Sequence, residues 1–104
     1  MQIKLSQNGD TSNAQIEGEL TIYTATELKE QLLQEFGKCK QLQLDLSGVE
    51  EVDSAGMQIL LLVRKQAIAE EKTLTLSKTS ESLECYIDLF NLWDFFQLNV
   101  PEKA

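Results

Sequence analysis

The residue pattern that most limits how this chain can fold is strict alternation in its strand candidates. Three leucines alternate with polar residues across 41–47, and two more do so across 73–77. Successive side chains of a strand point to opposite faces of its sheet, so each of these strands has one apolar face and one polar face. Strands buried on both faces read instead as continuous apolar runs. We therefore expect one face of the sheet to be covered and the other to be much more exposed.

Strand and helix candidates follow one another along the chain. Strands are predicted at 3–5, 14–20, 41–47 and 73–77, and helices at 24–36, at 54–70 and from Ser80. Turn residues at 8–10 make the first two strands a hairpin or near neighbours, whereas the helix between the last two strands requires a parallel crossover. The expected fold class is α/β, a mixed sheet of about four strands with the helices packed on one face. We expect it to form a single domain over 1–104.

Helical spacing indicates which residues of each helix face the core. The capping box predicted for Thr24 and Glu27 starts the first helix, and Gly37 is predicted to end it. A short helix or turn after the third helix is expected either to close the core or, if its Trp93 is exposed, to form a docking patch. The segment after Leu98 is expected to fray. The core-facing residues are Ala25, Leu28, Leu32 and Phe36, then Met57, Leu60, Leu61, Arg64, Ala67 and Ile68, then Leu83, Tyr86, Ile87 and Phe90, and the last turn carries Leu92, Trp93, Phe95 and Phe96.

Charge and hydropathy exclude several partners. The formal net charge is −8, from 17 acidic and 9 basic residues. That field repels phosphate backbones and anionic lipids, so we expect no nucleic acid and no membrane insertion, although solubility alone would also explain the charge. The longest apolar run, 59–63, is too short to cross a bilayer, and MQIKLSQNGD lacks the apolar stretch of a signal peptide. We expect a cytoplasmic protein in which Cys39 and Cys85 are reduced.

Catalytic chemistry finds little support in the sequence. Histidine is absent, which removes histidine bases, triads that contain histidine and histidine metal sites. Glycine-rich phosphate loops are absent too. Asp45, Glu50, Glu51 and Asp53 could together hold a divalent ion, but a solvated acidic loop is the simpler interpretation. We therefore expect no enzyme activity, no cofactor and no metal.

The segment VDSAG, at the start of the second helix, carries the most informative polar residues. Asp53 or Ser54 fits the N-cap, because its oxygen would accept an orphan N–H group. Capping does not explain Gly56, since glycine in a helix costs about 1 kcal/mol relative to alanine. Close approach by another backbone or by a partner would explain it. Phosphate on Ser54 would add about −1.5 to −2 charge, which a helix N-terminus favours and the neighbouring carboxylates oppose.

The chain resembles a known protein family. The stretch LQLDLSGVEEVDSAGMQILL, residues 42–61, is similar to the signature of the STAS family, typified by bacterial anti-sigma factor antagonists. GEL at 18–20 and the later LTLSKTSESLECYIDLFNLWDFF also match the family pattern. The resemblance extends over about residues 3–98 and implies the same mixed sheet with helices on one face.

The resemblance also implies a regulatory switch. In the antagonists, the serine of Asp-Ser-x-Gly is phosphorylated by a GHKL-type partner that is both serine kinase and anti-sigma factor. The unmodified protein binds that partner, phosphorylation ends the binding, and a serine phosphatase restores it. Ser54 corresponds to that serine and is the implied phosphorylation site. The implied partner-binding residues are Thr21, Tyr23, Asp53, Ser54, Ala55, Gly56 and Met57.

Some positions depart from the family pattern. Thr21 stands where the family usually has aspartate, and Asn91 stands where many members have glycine. Relatives outside sigma control include modules of chemotaxis and two-component clusters and small subunits of lipid-transport ABC systems, and some of these are not phosphorylated. The alternative is therefore a constitutive adaptor subunit in which Ser54 is only a helix cap.

Overall fold

The computed structural model describes residues 2–96 of the chain. The expectation of a frayed segment after Leu98 lies outside these residues. Four strands and three helices occur within the described range, in an order that alternates after the first two strands. They are β1 Gln2–Asn8, β2 Thr11–Leu20, α1 Ala25–Phe36, β3 Gln41–Val52, α2 Ser54–Ala69, β4 Thr73–Thr79 and α3 Glu81–Leu89.

The strands form one mixed sheet in the order β1-β2-β3-β4. β1 and β2 are antiparallel neighbours joined by a tight turn, where Gly9 has φ +64, a conformation that glycine adopts without a Cβ clash. β2 pairs in parallel with β3, and β3 in parallel with β4, so α1 and α2 are the crossover connections. The predicted mixed sheet and the hairpin are confirmed.

One face of this sheet carries the core. Leu44 of β3 and Leu76 of β4 are buried, whereas their neighbours along each strand point to the opposite, more exposed face. Leu28, Leu60 and Leu83, from the three helices, are completely buried in the same apolar cluster. The helices therefore pack on one face of the sheet, as the alternation predicts.

The aromatic residues after α3 close this core. Trp93 is 5% exposed and Phe96 is 3% exposed. The indole N–H of Trp93 donates a hydrogen bond to Asp88 Oδ1 at 3.1 Å, which satisfies its polar atom next to the apolar cluster. The core-closing role is confirmed, and Trp93 does not form a docking patch.

The side of α2 that faces the core agrees with the prediction only in part. Met57, Leu60 and Ala67 are buried as predicted, but Val63 is completely buried although it was not expected to be, and Ile68 is 59% exposed. Phe90, predicted to pack in the core, is 50% exposed and lies just after α3. The predictions for Val63 and Ile68 were wrong because residues 59–63 are all apolar, so the sequence pattern does not mark one face there. Arg64 instead reaches β4, where its Nη1 donates to Leu74 O at 3.1 Å.

β3 extends to Val52, beyond the predicted strand end at residue 47. Its pairing with β2 shifts, because Gln15 opposes Asp45 and Glu17 opposes Gly48, which leaves extra residues on β3. A Cβ on Gly48 would lie 2.7 Å from the Cγ of Glu17, so glycine suits this irregular stretch. The longer strand carries the chain directly to the start of α2, beside the end of β2.

Thr24 does not form the predicted capping box. Its Oγ1 accepts from Thr21 N at 3.1 Å and donates to Glu19 O at 2.9 Å, and no side-chain hydrogen bond caps α1 at this position. The hydroxyl therefore ties the turn at 21–24 to the end of β2. Gly37 follows the end of α1, as predicted, but with φ −71, so it does so without a left-handed conformation.

We predict that Thr24→Val lowers the free energy of unfolding by about 1–3 kcal/mol, because it leaves the Thr21 N–H and the Glu19 carbonyl without this partner. Thr26→Val is the matched control, since Thr26 is exposed on α1 and should change stability by less than about 0.5 kcal/mol. Urea denaturation of both variants measures the difference. Equal effects at the two positions would contradict this role of Thr24.

Candidate functional site

The candidate site lies where β2 and β3 both end and α2 begins. Leu20 and Val52 are paired at the ends of these strands, and Asp53 N donates to Leu20 O at 3.2 Å. The turn after β2 and the first residues of α2 are thereby held side by side. We call this region the Ser54 site and define it by Thr21, Ile22, Tyr23, Asp53 and Ser54.

Asp53 is the N-cap of α2 and also holds the neighbouring turn. Its backbone is extended, its Oδ1 accepts from Gly56 N at 2.9 Å, and its Oδ2 accepts from Ile22 N at 3.0 Å. Hydrogen bonds from the N–H groups of Gly56 and then Ile22 lower the pKa of Asp53 from its ordinary value. The carboxylate is therefore charged at neutral pH and joins two separate segments of the chain.

Ser54 is exposed at the first position of α2. Because Asp53 supplies the cap, the Ser54 hydroxyl is not needed to satisfy the helix end. Within residues 2–96, no side-chain hydrogen bond involves Ser54 Oγ. Of the two residues that the sequence left open as the cap, the structure selects Asp53.

Two exposed apolar side chains lie on the turn that follows β2. Tyr23 is 88% exposed and Ile22 is 66% exposed, both on the turn that Asp53 holds. Tyr23 was among the predicted residues, whereas Ile22 was missed. Its signal in the sequence was an isoleucine in a short turn, outside any strand or helix periodicity. An isoleucine and a tyrosine presented together on a fixed turn suit contact with a protein surface.

Three of the predicted partner-binding residues lie beneath the surface. Thr21 is 8% exposed, and its carbonyl accepts from Ala25 N at 2.8 Å. Met57 is 2% exposed, and Gly56 is buried. A Cβ on Gly56 would overlap the carbonyl oxygen of Leu20 and lie 2.7 Å from the carbonyl carbon. Close approach by the chain's own backbone thus accounts for Gly56, and a partner is not required to explain it.

The remaining predicted residues are accessible to different degrees. Tyr23 and Ser54 are exposed, and Asp53 and Ala55 are half-buried. A partner over the site would contact these side chains directly. Thr21, Gly56 and Met57 would affect its binding only by setting the positions of the exposed residues. Contact between these residues and a partner stays a prediction.

The acidic residues considered as a divalent-ion site are not brought together. Among the residues that the structure describes, no group of three or more aspartate, glutamate, cysteine or histidine residues is placed to hold a metal ion. The Asp45 carboxylate accepts from Ser47 N and Oγ, and Asp53 is engaged by two amides. Cys39 is buried and Cys85 is exposed, and both are free thiols.

Hydropathy of the described helices gives one further observation. No helix within residues 2–96 combines the length and apolar character needed to cross a membrane.

A mixed sheet covered by helices on one face, with an aspartate-capped helix beginning beside the end of β2, defines a small α/β domain of the STAS class. Residues 3–97 match the sequence model of the family described as "Mlab, STAS domain". The chain therefore belongs to the STAS family, which confirms the resemblance drawn from residues 42–61.

Solved structures show the same fold. An anti-sigma factor antagonist from Mycobacterium paratuberculosis is 22% identical, with a TM-score of 0.82 over 96% of this chain and 86% of that chain. The anti-sigma factor antagonist SpoIIAA in its unphosphorylated form is 14% identical, with a TM-score of 0.73 over 88% of this chain and 82% of that chain. The Bacillus cell fate determinant SpoIIAA in its phosphorylated form is 14% identical, with a TM-score of 0.71 over 89% and 86%. At these identities the comparison establishes the fold alone.

Gly56→Ala tests the close approach between α2 and β2. The added methyl group meets backbone atoms that cannot rotate away, so we expect a loss of about 3 kcal/mol or more in the free energy of unfolding. Gly37→Ala is the control, because its Cβ would be no closer than 3.4 Å to its nearest neighbour and its φ is −71. Chemical denaturation of the two variants should show a large loss only for Gly56→Ala.

Acid titration tests the role of the Asp53 carboxylate. A lowered pKa contributes stability that is present above the unfolded value, about 3.9, and is lost as the pH falls through the folded pKa. We expect wild type to be more stable than Asp53→Asn at pH 7 and this gap to close in acid. Denaturation at a series of pH values measures the gap, and carbon NMR of Asp53 follows the titration. A gap that stays constant into acid would contradict this assignment.

Proposed function

We propose that this chain is a protein-binding regulator of the anti-sigma factor antagonist type, switched by phosphorylation of Ser54. The unmodified protein binds a serine kinase that is also an anti-sigma factor, and phosphate on Ser54 ends that binding until a serine phosphatase removes it. The observation that carries the proposal is an exposed Ser54 whose hydroxyl makes no side-chain hydrogen bond within residues 2–96, at a helix start whose cap also holds the turn with the exposed Ile22 and Tyr23. The protein acts in the cytoplasm by binding and carries out no catalysis.

The local charges explain how phosphate would end binding. Asp53 is fixed by two backbone N–H groups and stays charged at neutral pH. Phosphate on Ser54 adds about −1.5 to −2 charge directly beside it. A partner that covers Tyr23 and Ser54 would then have to desolvate two adjacent anions, which favours release.

The structural neighbours support this class of function. Two of them are named as anti-sigma factor antagonists, and SpoIIAA has been solved in unphosphorylated and phosphorylated forms. The present chain matches those two forms almost equally, with TM-scores of 0.73 and 0.71.

A second candidate function is favoured by the family description. The description of the matched family names Mlab. The family that the sequence resembles also includes adaptor subunits that are not phosphorylated. In that case the chain binds its partner constitutively, as a subunit of a lipid-transport ABC system or of a chemotaxis or two-component cluster. The Ser54 site would then be a permanent contact surface.

Phosphorylation by candidate kinases separates the two functions. We expect incubation with ATP and a GHKL-type serine kinase to add one phosphate, which fragmentation mass spectrometry should locate on Ser54. Ser54→Ala should abolish the modification, whereas Ser6→Ala, at an exposed position of β1, should not.

Binding and stability of the Ser54 variants complete this test. Ser54→Ala should bind the kinase as wild type does and change the free energy of unfolding by less than about 0.5 kcal/mol, because Asp53 supplies the cap. Ser54→Asp should weaken binding by about tenfold or more, which is about 1.4 kcal/mol. Surface plasmon resonance measures both affinities. If both variants bind like wild type and no kinase modifies Ser54, the switch is wrong and the adaptor function stands.

A further inference from the structure

An apolar groove on the surface of α2 begins at Ser54. The first turns of α2 form one wall, and the segment that follows α3 forms the other. Its volume is about 330 Å³, and four of its six lining residues are apolar. We call it the α2–Phe90 groove; it is lined by Ser54, Met57, Gln58, Leu61, Phe90 and Leu92.

Phe90 is the residue that makes this groove unusual. Its side chain is 50% exposed, although a phenylalanine at this spacing would ordinarily join the core. The ring is not isolated, because its centroid lies 6.1 Å from that of Tyr86. A half-exposed aromatic wall held by a second ring is a ready contact for an apolar side chain from outside.

The groove follows the first two turns of α2. Ser54, Met57, Gln58 and Leu61 are three or four residues apart, so they share one side of the helix. From Ser54 to Leu61 this side runs for about 10 Å at 1.5 Å per residue, and the exposed Lys65 follows one turn later. An apolar groove along a helix fits the apolar face of a second helix.

The wall of the groove that follows α3 lies in an acidic segment, whereas α2 carries Arg64 and Lys65 beyond Leu61. Residues 80–96 contain four acidic residues and no basic residue. Glu50 and Glu51 at the end of β3 adjoin this segment, since Ser82 Oγ donates to Glu50 O at 2.8 Å. An approaching segment with lysine or arginine on its flanks would be complementary to this border.

We infer that the α2–Phe90 groove receives an amphipathic helix of the protein partner, with apolar residues facing Leu61 and Phe90 and with basic residues on its flanks. The inference rests on the proposed function, because it names the kind of partner segment that binds beside Ser54. Ser54 itself lines the groove, so its phosphate would occupy space that the helix needs. Phosphate therefore blocks packing even though it makes the surface more attractive to a basic peptide.

A synthetic peptide tests this occupant directly. The probe is a leucine–lysine amphipathic helix of about 15 residues, longer than the α2 side of the groove at 1.5 Å per residue, and the control is the same composition in an order that has no apolar face. Amide NMR spectra of the full chain are recorded during titration with each peptide. We expect the helix to shift Ser54, Gln58, Leu61 and Phe90 and to bind more tightly than the control.

Matched variants separate packing from general attraction. Phe90→Ala should weaken the peptide by about tenfold, as truncation of an aromatic anchor does. Leu89→Ala should change its affinity less than about twofold, as near-neutral contacts do, because Leu89 is 74% exposed and does not line the groove. Gln58→Arg, at an exposed position of the groove, should also weaken binding by repelling the lysines and leave the fold intact. Ser54→Asp should weaken the peptide although it adds negative charge.

Several results would overturn the inference. For the peptides, these are no binding, equal affinity for the two peptides, or NMR shifts confined to the open face of the sheet. For the variants, they are tighter peptide binding by Ser54→Asp, or equal losses of affinity in Phe90→Ala and Leu89→Ala. Concentration-dependent shifts at the groove without peptide would assign it to a second copy of the chain and overturn it too. Phosphorylation of Ser54 is measured separately by mass spectrometry, so the groove and the switch can fail independently.

Discussion

The close approach of the first turn of α2 to the end of β2 is the contact on which the rest of the structure depends. Gly56 lets the helix lie against the Leu20 carbonyl, where any Cβ would overlap backbone atoms. Asp53 N donates to the same carbonyl, and the Asp53 carboxylate reaches Ile22 N on the turn after β2. Because these contacts involve backbone atoms, they set the position of the turn and the helix relative to each other.

Asp53 and Ser54 are adjacent, but only Asp53 makes the side-chain hydrogen bonds that hold the site together. Asp53 satisfies the helix end and the turn, and its charge is stabilised by the N–H groups that it binds. Ser54 is exposed, and within residues 2–96 its hydroxyl makes no side-chain hydrogen bond. The proposed switch requires this, since a residue that is modified must not be needed by the fold. The same contacts hold the exposed Ile22 and Tyr23 on the turn after β2, where a partner of the proposed kind would also meet them.

Several features followed from local patterns, and the misses have identifiable physical causes. Alternating leucines in β3 and β4 predicted a sheet covered on one face, because side-chain direction along a strand is a local property. Thr24 was misassigned because its hydroxyl competes between the helix end and the nearby strand carbonyl of Glu19, which comes close only after folding. The faces of α2 and the exposure of Phe90 were missed because apolar residues on all sides of a helix do not show which side meets the sheet.

The sequence by itself determined the strand and helix order, the sheet that is covered on one face, and the resemblance of residues 42–61 to the STAS family. These depend on residue type and spacing along the chain. Only the tertiary structure decided that Asp53 and not Ser54 caps α2, that Leu20 is the reason for Gly56, and that Phe90 lines a groove together with Ser54. The cap is local but depends on backbone geometry, since residue type allowed either Asp53 or Ser54 to fill it. The other roles depend on atoms from segments distant in sequence, whose positions are set when the sheet pairs and the helices pack against it.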